Sequence, residues 1–173
     1  VINIYFGDPD EGGQFKGAIY RPFEYKTERA KITGEKLTEK ENFQFIQQRN
    51  LYDFMRRLLV KRFESSFGSF RQSMENFKRI TKTVLDFINK TDRHILDRSL
   101  LEKIYDLDME QIEEHLKDYS EKIKNGDYPK NHEIYEVNKL KYKDDFIDHI
   151  NADLKLFDDI LEELSALDLV KSD

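Results

Sequence analysis

Residues 56–70 read RRLLVKRFESSFGSF and set four cationic side chains among leucines and phenylalanines. Apolar positions recur at helical spacing through this stretch and continue well beyond it on both sides. The stripe runs through Leu51, Met55, Leu59, Phe63, Phe70, Met74, Phe77, Thr81, Val84 and Ile88. Near its middle, Ser65, Ser66 and Gly68 are weak helix formers. The pattern predicts either one very long amphipathic helix or two collinear helices that meet at these residues.

The composition of the whole chain favours a mainly α fold. Of 173 residues, 38% are hydrophobic and 37% are charged, and 13 Phe and 9 Tyr supply large side chains for a core. Only 7 glycines and 3 prolines are present, which suits long helices better than a turn-rich sandwich. A chain of this length is expected to build one core. We predict a single domain, a bundle of four or five helices with a short N-terminal β-hairpin or extended arm.

The arm is expected at residues 1–37 and the helical body at 38–173, because the sequence pattern changes between them. Segments rich in β-branched and aromatic residues, VINIYF and FKGAIYRPFEY, flank the turn-forming GDPDEGGQ at 7–14. The glycines of this turn copy the spacing of a phosphate-binding loop, but Gly13 and Gln14 stand where Lys and Ser or Thr are required. We therefore expect a hairpin turn and no cofactor site.

Capping residues mark where the body begins. Thr38 with Glu41 three residues later predicts a capping box at the start of the long helical run. A short helix is expected at 93–105. The last helix is expected to begin near Tyr142, because an apolar stripe with Asp and Glu over the opposite face follows it.

A further helix is bounded at both ends by its sequence. Asp108 predicts the N-cap, and the helix is expected to run to about Asn125 and to stop at Gly126. Residues 127–141 have the composition of a connecting loop.

Several classes of functional site lack the residues that they require. The chain has no cysteine, which excludes disulfides, thiolate metal sites and cysteine nucleophiles. Its four histidines are far apart, and none lies in an H-E-x-x-H arrangement. No apolar run approaches the roughly 20 residues that span a bilayer. We predict no catalytic residue, no metal ligand, no membrane association and a cytoplasmic location.

The positive charge is concentrated between residues 55 and 84. This segment has eight basic and two acidic residues, a net of +6, which leaves −12 for the rest of a chain whose net charge is −6. On a helix, six of the basic residues lie opposite the apolar stripe. They are Arg57, Lys61, Arg71, Lys78, Arg79 and Lys82. Such a face can follow a phosphate backbone, or it can be neutralised within the fold by the acidic last helix.

The segment LLVKRFESSFGSFRQSMENF, residues 58–77, resembles a stretch of bacterial Swi/Snf-like helicases of superfamily two. In that family the pattern Leu-Leu-x-Lys-Arg-Leu-Glu-Ser-Ser lies in the helical region between two RecA-like ATPase lobes. Five residues match, and Phe63 stands where Leu is usual. The matching residues are Lys61, Arg62, Glu64, Ser65 and Ser66. The acidic tail also resembles the helix that leads into the second lobe, so the resemblance covers about residues 45–173.

The resemblance implies a non-catalytic accessory domain, excised from an ATP-dependent DNA helicase or translocase. Its partners would be the RecA-like lobes of the same polypeptide and double-stranded DNA. ATP and Mg²⁺ would bind to the parent protein, since the ATP-binding motifs and the Asp-Glu box are absent from this chain. The five matching residues would dock on a lobe. Nucleic-acid contacts would come from Arg57, Arg71, Lys78, Arg79 and Lys82.

Two alternatives remain open from the sequence alone. The chain can instead be a stand-alone scaffold or protein–protein interaction domain whose long amphipathic helices pair with another protein. Arg62 and Glu64 can also serve the fold itself, as members of ion pairs within or between helices at the rim of the core.

Overall fold

The computed structural model describes residues 5–26, 37–103 and 107–171. Within them the chain is mainly helical, which confirms the predicted fold class. The helices are α1 (Glu39–Ser65), α2 (Phe67–Thr91), α3 (Arg98–Lys103), α4 (Met109–Lys124) and α5 (Lys143–Lys171). Two short strands, β1 (Arg93–Asp97) and β2 (His132–Glu136), form an antiparallel sheet.

The long helical run is divided at Ser66. The predicted capping box at its start is confirmed, because the Thr38 hydroxyl accepts from the Glu41 N–H at 3.1 Å and the Glu41 carboxylate accepts from the Thr38 N–H at 3.3 Å. Ser66 has extended backbone angles, φ −168° and ψ 150°, so the helix cannot continue through it. Its hydroxyl then accepts from the Ser69 N–H at 3.0 Å and caps α2.

α1 and α2 fold back on each other, so the collinear arrangement is wrong. Gln48 near the start of α1 donates to the Tyr135 hydroxyl at 2.7 Å, and Tyr135 is the sheet partner of His94, three residues after α2 ends. Collinear helices would hold Gln48 and Thr91 about 65 Å apart. A single extended residue between two helices allows this reversal, and it brings both apolar stripes into one core.

Residues 5–26 pack onto the helical body and do not form the hairpin, one of the two forms predicted for the arm; residues 1–4 and 27–36 of the arm lie outside the described ranges. Residues 5–26 contain three 3₁₀ turns, Pro9–Glu11, Ala18–Tyr20 and Pro22–Tyr25, and no strand. The reversal itself is present, because the N–H of Phe15 donates to the carbonyl of Tyr5 at 2.8 Å. Consecutive residues 18–20 are all buried, a pattern that a half-exposed strand cannot provide.

The two strands of the sheet lie where the sequence predicts the start of a short helix and a connecting loop. Residues 93–97, expected to begin a short helix, form β1, and the helix starts only at Arg98. Residues 132–136, within the predicted loop, form β2, which pairs Arg93 with Glu136 and Asp97 with His132. Each strand has five residues, too few to show a period on its own.

The ends of α4 and the start of α5 agree with their predicted positions. Asp108 caps α4, accepting from the Gln111 N–H at 2.9 Å, and Gly126 has φ 80° just beyond its end. α2 packs against both α4 and α5. Their buried side chains, with aromatic residues of the N-terminal segment, form one core.

Candidate docking and nucleic-acid interface

The α1–α2 turn, defined as residues 61–67, projects most of the motif into solvent. Lys61, Glu64, Ser65 and Ser66 are exposed, and Phe67 beside them is 41% exposed. Both serines also serve the fold: the Ser65 hydroxyl donates to the Lys61 carbonyl at 2.9 Å, and Ser66 caps α2. Phe67 packs edge-on against Phe63, with ring centroids 5.5 Å apart. Packing of the core does not account for Lys61 or Glu64, and these two side chains are available to a partner.

Arg62 is directed inward and joins three helices. Its Nε lies 3.2 Å from the Glu113 carboxylate of α4, and each side chain is only 12% exposed. Ser73 of α2 donates to the same carboxylate oxygen. This is the interhelical ion pair that the sequence left open for Arg62. It links the base of the α1–α2 turn to α4 and α2.

The five cations predicted to contact nucleic acid are divided between two helices. Arg57 lies on α1, exposed, and its Nε donates to the Asp53 carbonyl at 3.3 Å. The other four lie on α2, with Arg71 and Lys78 partly buried and Arg79 and Lys82 exposed. The structure therefore does not place all five along one helix face.

The last helix neutralises part of this positive charge. Lys78 forms an ion pair with Asp158 of α5, although the Lys78 side chain remains 39% exposed. Arg79 and Lys82 make no ion pair with any residue that the structure describes. One cation of the basic face is thus neutralised within the fold, and two are open to solvent. Neither of the two interpretations of this face applies to all of its cations.

A cleft of about 540 Å³ lies next to the exposed motif, where the N-terminal segment crosses α1. Arg56, Arg57 and Lys61 line one side, and Asp8 and Glu11 line the other. This mixture of charges suits a polar protein surface better than a phosphate, which the two carboxylates would repel. Sequence reasoning missed the cleft because it arises only when the arm folds across a helix about 50 residues away.

The Arg56 guanidinium lines the cleft and binds the N-terminal segment. One terminal nitrogen donates to the Phe6 carbonyl at 3.3 Å, and the other lies 3.2 Å from Asp53. Its buried Nε has no hydrogen-bond partner among the residues described. A predominantly structural role for Arg56 follows from these contacts with the arm.

The four histidines are engaged in separate places. His94 is fully buried, and its Nε2 bonds to the Ile19 carbonyl at 2.8 Å. Burial lowers the pKa of His94 to about 4, with the Ile19 bond acting against that shift. The others bond to Asp97, Pro129 and Tyr25, through His115, His132 and His149 respectively. Across residues 5–26, 37–103 and 107–171, no group of three His, Cys, Asp or Glu side chains is placed to hold a metal ion.

None of the helices in the described ranges is both long and apolar enough to cross a membrane.

Comparison with family models, with curated proteins and with solved structures finds no match for this chain.

Proposed function

We propose that this chain is a non-catalytic helical domain that lies between the RecA-like lobes of an ATP-dependent, Swi/Snf-like DNA translocase. The observation that carries the proposal is the exposure of Lys61, Glu64 and Ser65 at a turn that the Arg62–Glu113 pair links to α4. Exposed charged residues that the core does not need are suited to contact a partner. In this proposal the lobes bind ATP and Mg²⁺, and the protein acts on DNA in the cytoplasm.

Duplex DNA is the second partner in this proposal. Arg79 and Lys82 are exposed on α2 and can contact phosphates directly, whereas Arg57 lines the cleft beside Asp8 and Glu11, which disfavour a phosphate there. Lys78 can join them only if it exchanges Asp158 for a phosphate. Contact with two phosphates predicts weak binding that falls about 12-fold between 50 and 200 mM salt.

Fluorescence anisotropy with a labelled 30-base-pair duplex tests the DNA contact. The double variant R79E/K82E should bind at least tenfold more weakly than wild type at 50 mM salt. The matched control is K117E/K155E, which makes the same change in net charge at two exposed lysines on α4 and α5. Equal losses in both variants, or affinity that does not depend on salt, would contradict direct phosphate contacts.

The open reading frame tests the connection to a motor. It should encode an ATPase lobe with a phosphate-binding loop before this domain and a second RecA-like lobe after it. In that full-length protein, exchanging the exposed charges by K61E/E64K should reduce DNA-stimulated ATP hydrolysis without unfolding the domain. A native gene that encodes no ATPase lobe would remove this proposal.

A scaffold that pairs with another protein is the second candidate. It is favoured by Phe43 and Ile46, which are 57% and 46% exposed and lie three residues apart on one face of α1. A scaffold should bind no DNA at any salt concentration, so the anisotropy measurement separates the two candidates.

A further inference from the structure

The two-stranded sheet has two different edges. The N–H of Val137 donates to the Asp92 carbonyl at 2.9 Å, and the N–H of Arg98 donates to the Asn131 carbonyl at 3.0 Å. These bonds lie in register with the ladder and fix which residues bond across it, because the direction of backbone groups alternates along a strand. The N–H and C=O groups that point away from β1 therefore belong to His132, Ile134 and Glu136.

One edge of the sheet is covered, and the other has no strand partner among the residues that the structure describes. On β1, the carbonyl of Ile95 points outward and accepts from the Tyr119 hydroxyl of α4. On β2, no hydrogen bond from any residue in the described ranges reaches the outward backbone groups of His132 and Ile134, while Glu136 begins the 3₁₀ turn Val137–Lys139. Ile134, at the centre of this edge, is 46% exposed. An open strand edge with an exposed apolar residue is a template for pairing with another strand.

A groove of about 410 Å³ follows β2 along its whole length. Four cations line it: Lys26, Lys40, Arg98 and Lys139. Its two carboxylates are engaged, Glu133 with Arg98 at 3.6 Å and Glu136 with Arg93 at 3.5 Å. The three lysines are exposed and form no ion pair with any residue placed by the structure. The groove is thus positive in a chain whose net charge is −6.

We propose that the open edge of β2 binds an extended acidic peptide segment of another protein as a third strand of the sheet. Backbone groups of Ile134 would bond to the incoming strand, and its acidic side chains would meet Lys40 and Lys139. This interface lies at the opposite end of α1 from the α1–α2 turn, so it does not depend on the function proposed above.

Binding of a fluorescein-labelled hexapeptide with alternating Glu and Val residues, measured by anisotropy at 50 mM salt, tests the proposal. Wild-type protein should bind it, and I134P should bind at least tenfold more weakly, since proline removes an outward N–H and leaves the β1 ladder intact. The affinity of K40E/K139E for this peptide should also be at least tenfold lower than that of wild type. K117E/K155E, with the same net charge, should stay within twofold of wild type.

The probe itself supplies a test that does not require a folded variant. The same peptide methylated on alternate backbone nitrogens should lose at least tenfold in affinity, and a peptide of alternating Lys and Val should not bind. Equal affinity for the methylated peptide, or equal affinity for the Lys peptide, would overturn the proposal.

Two further outcomes would assign the edge to a different occupant and overturn the proposal. The first is a wild-type dimer in sedimentation that I134P abolishes, with no binding of the Glu peptide. The second is duplex DNA binding that K40E/K139E abolishes, again with no binding of the Glu peptide.

Discussion

The carboxylate of Asp153, in the last helix, accepts a hydrogen bond at 2.8 Å from the backbone N–H of Gly17, which lies 136 residues earlier in the chain. Its other oxygen accepts from the N–H of Lys16, also at 2.8 Å. Asp153 is only 3% exposed. A single side chain thus fastens the N-terminal segment to α5.

Removing this side chain should loosen the arm. D153A takes both acceptor oxygens away from the Lys16 and Gly17 N–H groups, whether or not the acid is ionised, and we expect the free energy of unfolding to fall by about 1–3 kcal/mol. Urea denaturation at pH 5.5, below the raised pKa of Asp153, measures it. The control is D148A, at an exposed position of the same helix. A loss in D153A no larger than that in D148A would show that the two bonds do not hold the arm.

The pH dependence of stability should reveal two buried groups that oppose each other. Burial raises the pKa of Asp153 from 3.8 to about 7, against the Lys16 and Gly17 N–H bonds and the charges of Arg21 and Lys16. The folded chain then holds a proton that the unfolded chain releases, so this group's contribution to stability falls as pH rises from about 4 to 7. His94, with its pKa lowered from 6.5 to about 4, binds its proton only in the unfolded chain over that interval. Its contribution therefore rises with pH from about 4 to 6.5.

Without the carboxyl group of Asp153, the rise of the free energy of unfolding with pH that His94 causes should become measurable. Between pH 4.5 and 6, the free energy of unfolding of D153N should rise with pH by up to about 1.4 kcal/mol per unit relative to wild type. Urea denaturation at pH 4.5, 5.5 and 6.5 measures the difference. Parallel pH profiles for the two proteins would mean that Asp153 is ionised in the folded state throughout.

Gly17 should tolerate no side chain. It has φ +56°, and an added Cβ would lie 2.5 Å from the Tyr52 ring. That ring stacks on Phe15 and its hydroxyl donates to the Phe15 carbonyl at 2.7 Å, so it cannot move aside freely. We expect G17A to lose about 2–4 kcal/mol in the free energy of unfolding.

Gly12 provides the matched comparison for this substitution. Its φ is +96°, but an added Cβ would meet nothing within 4 Å. G12A should therefore lose only about 1 kcal/mol, from backbone strain alone. Equal losses in G12A and G17A, by thermal or urea denaturation, would rule out the clash with Tyr52.

The Arg62–Glu113 pair should couple α1 to α4. In a double-mutant cycle with R62A and E113A, we expect a coupling free energy of about 1–2 kcal/mol, because both side chains are largely buried at the rim of the core. The exposed pair Lys122–Asp118, at 3.8 Å, should couple by less than about 0.5 kcal/mol. If the Arg62 pair couples no more strongly than the exposed one, it does not support the α1–α2 turn.

Sequence patterns sufficed where structure is local. Thr38, Asp108 and Gly126 mark helix ends by contacts with residues at most a few positions away, and they were placed correctly from sequence. β1 and β2 were missed because the register pairs residues 35 or more positions apart, such as Asp97 with His132, and each strand alone is too short to show a period.

In the candidate site, too, the features that depend on one segment were predictable from sequence and those that depend on distant segments were not. The exposed side of the α1–α2 turn follows from the sequence of one segment, including the serines that break the helix. The partner of Arg62 lies 51 residues away on α4, and the cleft at Arg56 depends on where the arm crosses α1. Neither position is encoded in the spacing of neighbouring residues.

The bonds from Asp153 to residues 16 and 17 also bear on the order of events at the ribosome. The aromatic side chains of the arm leave the exit tunnel before α5, because the helix that secures them is synthesised more than a hundred residues later. Until then, Phe6, Phe15 and Tyr20 lack part of the surface that buries them, so a nascent chain stalled before α5 should be a substrate for chaperones.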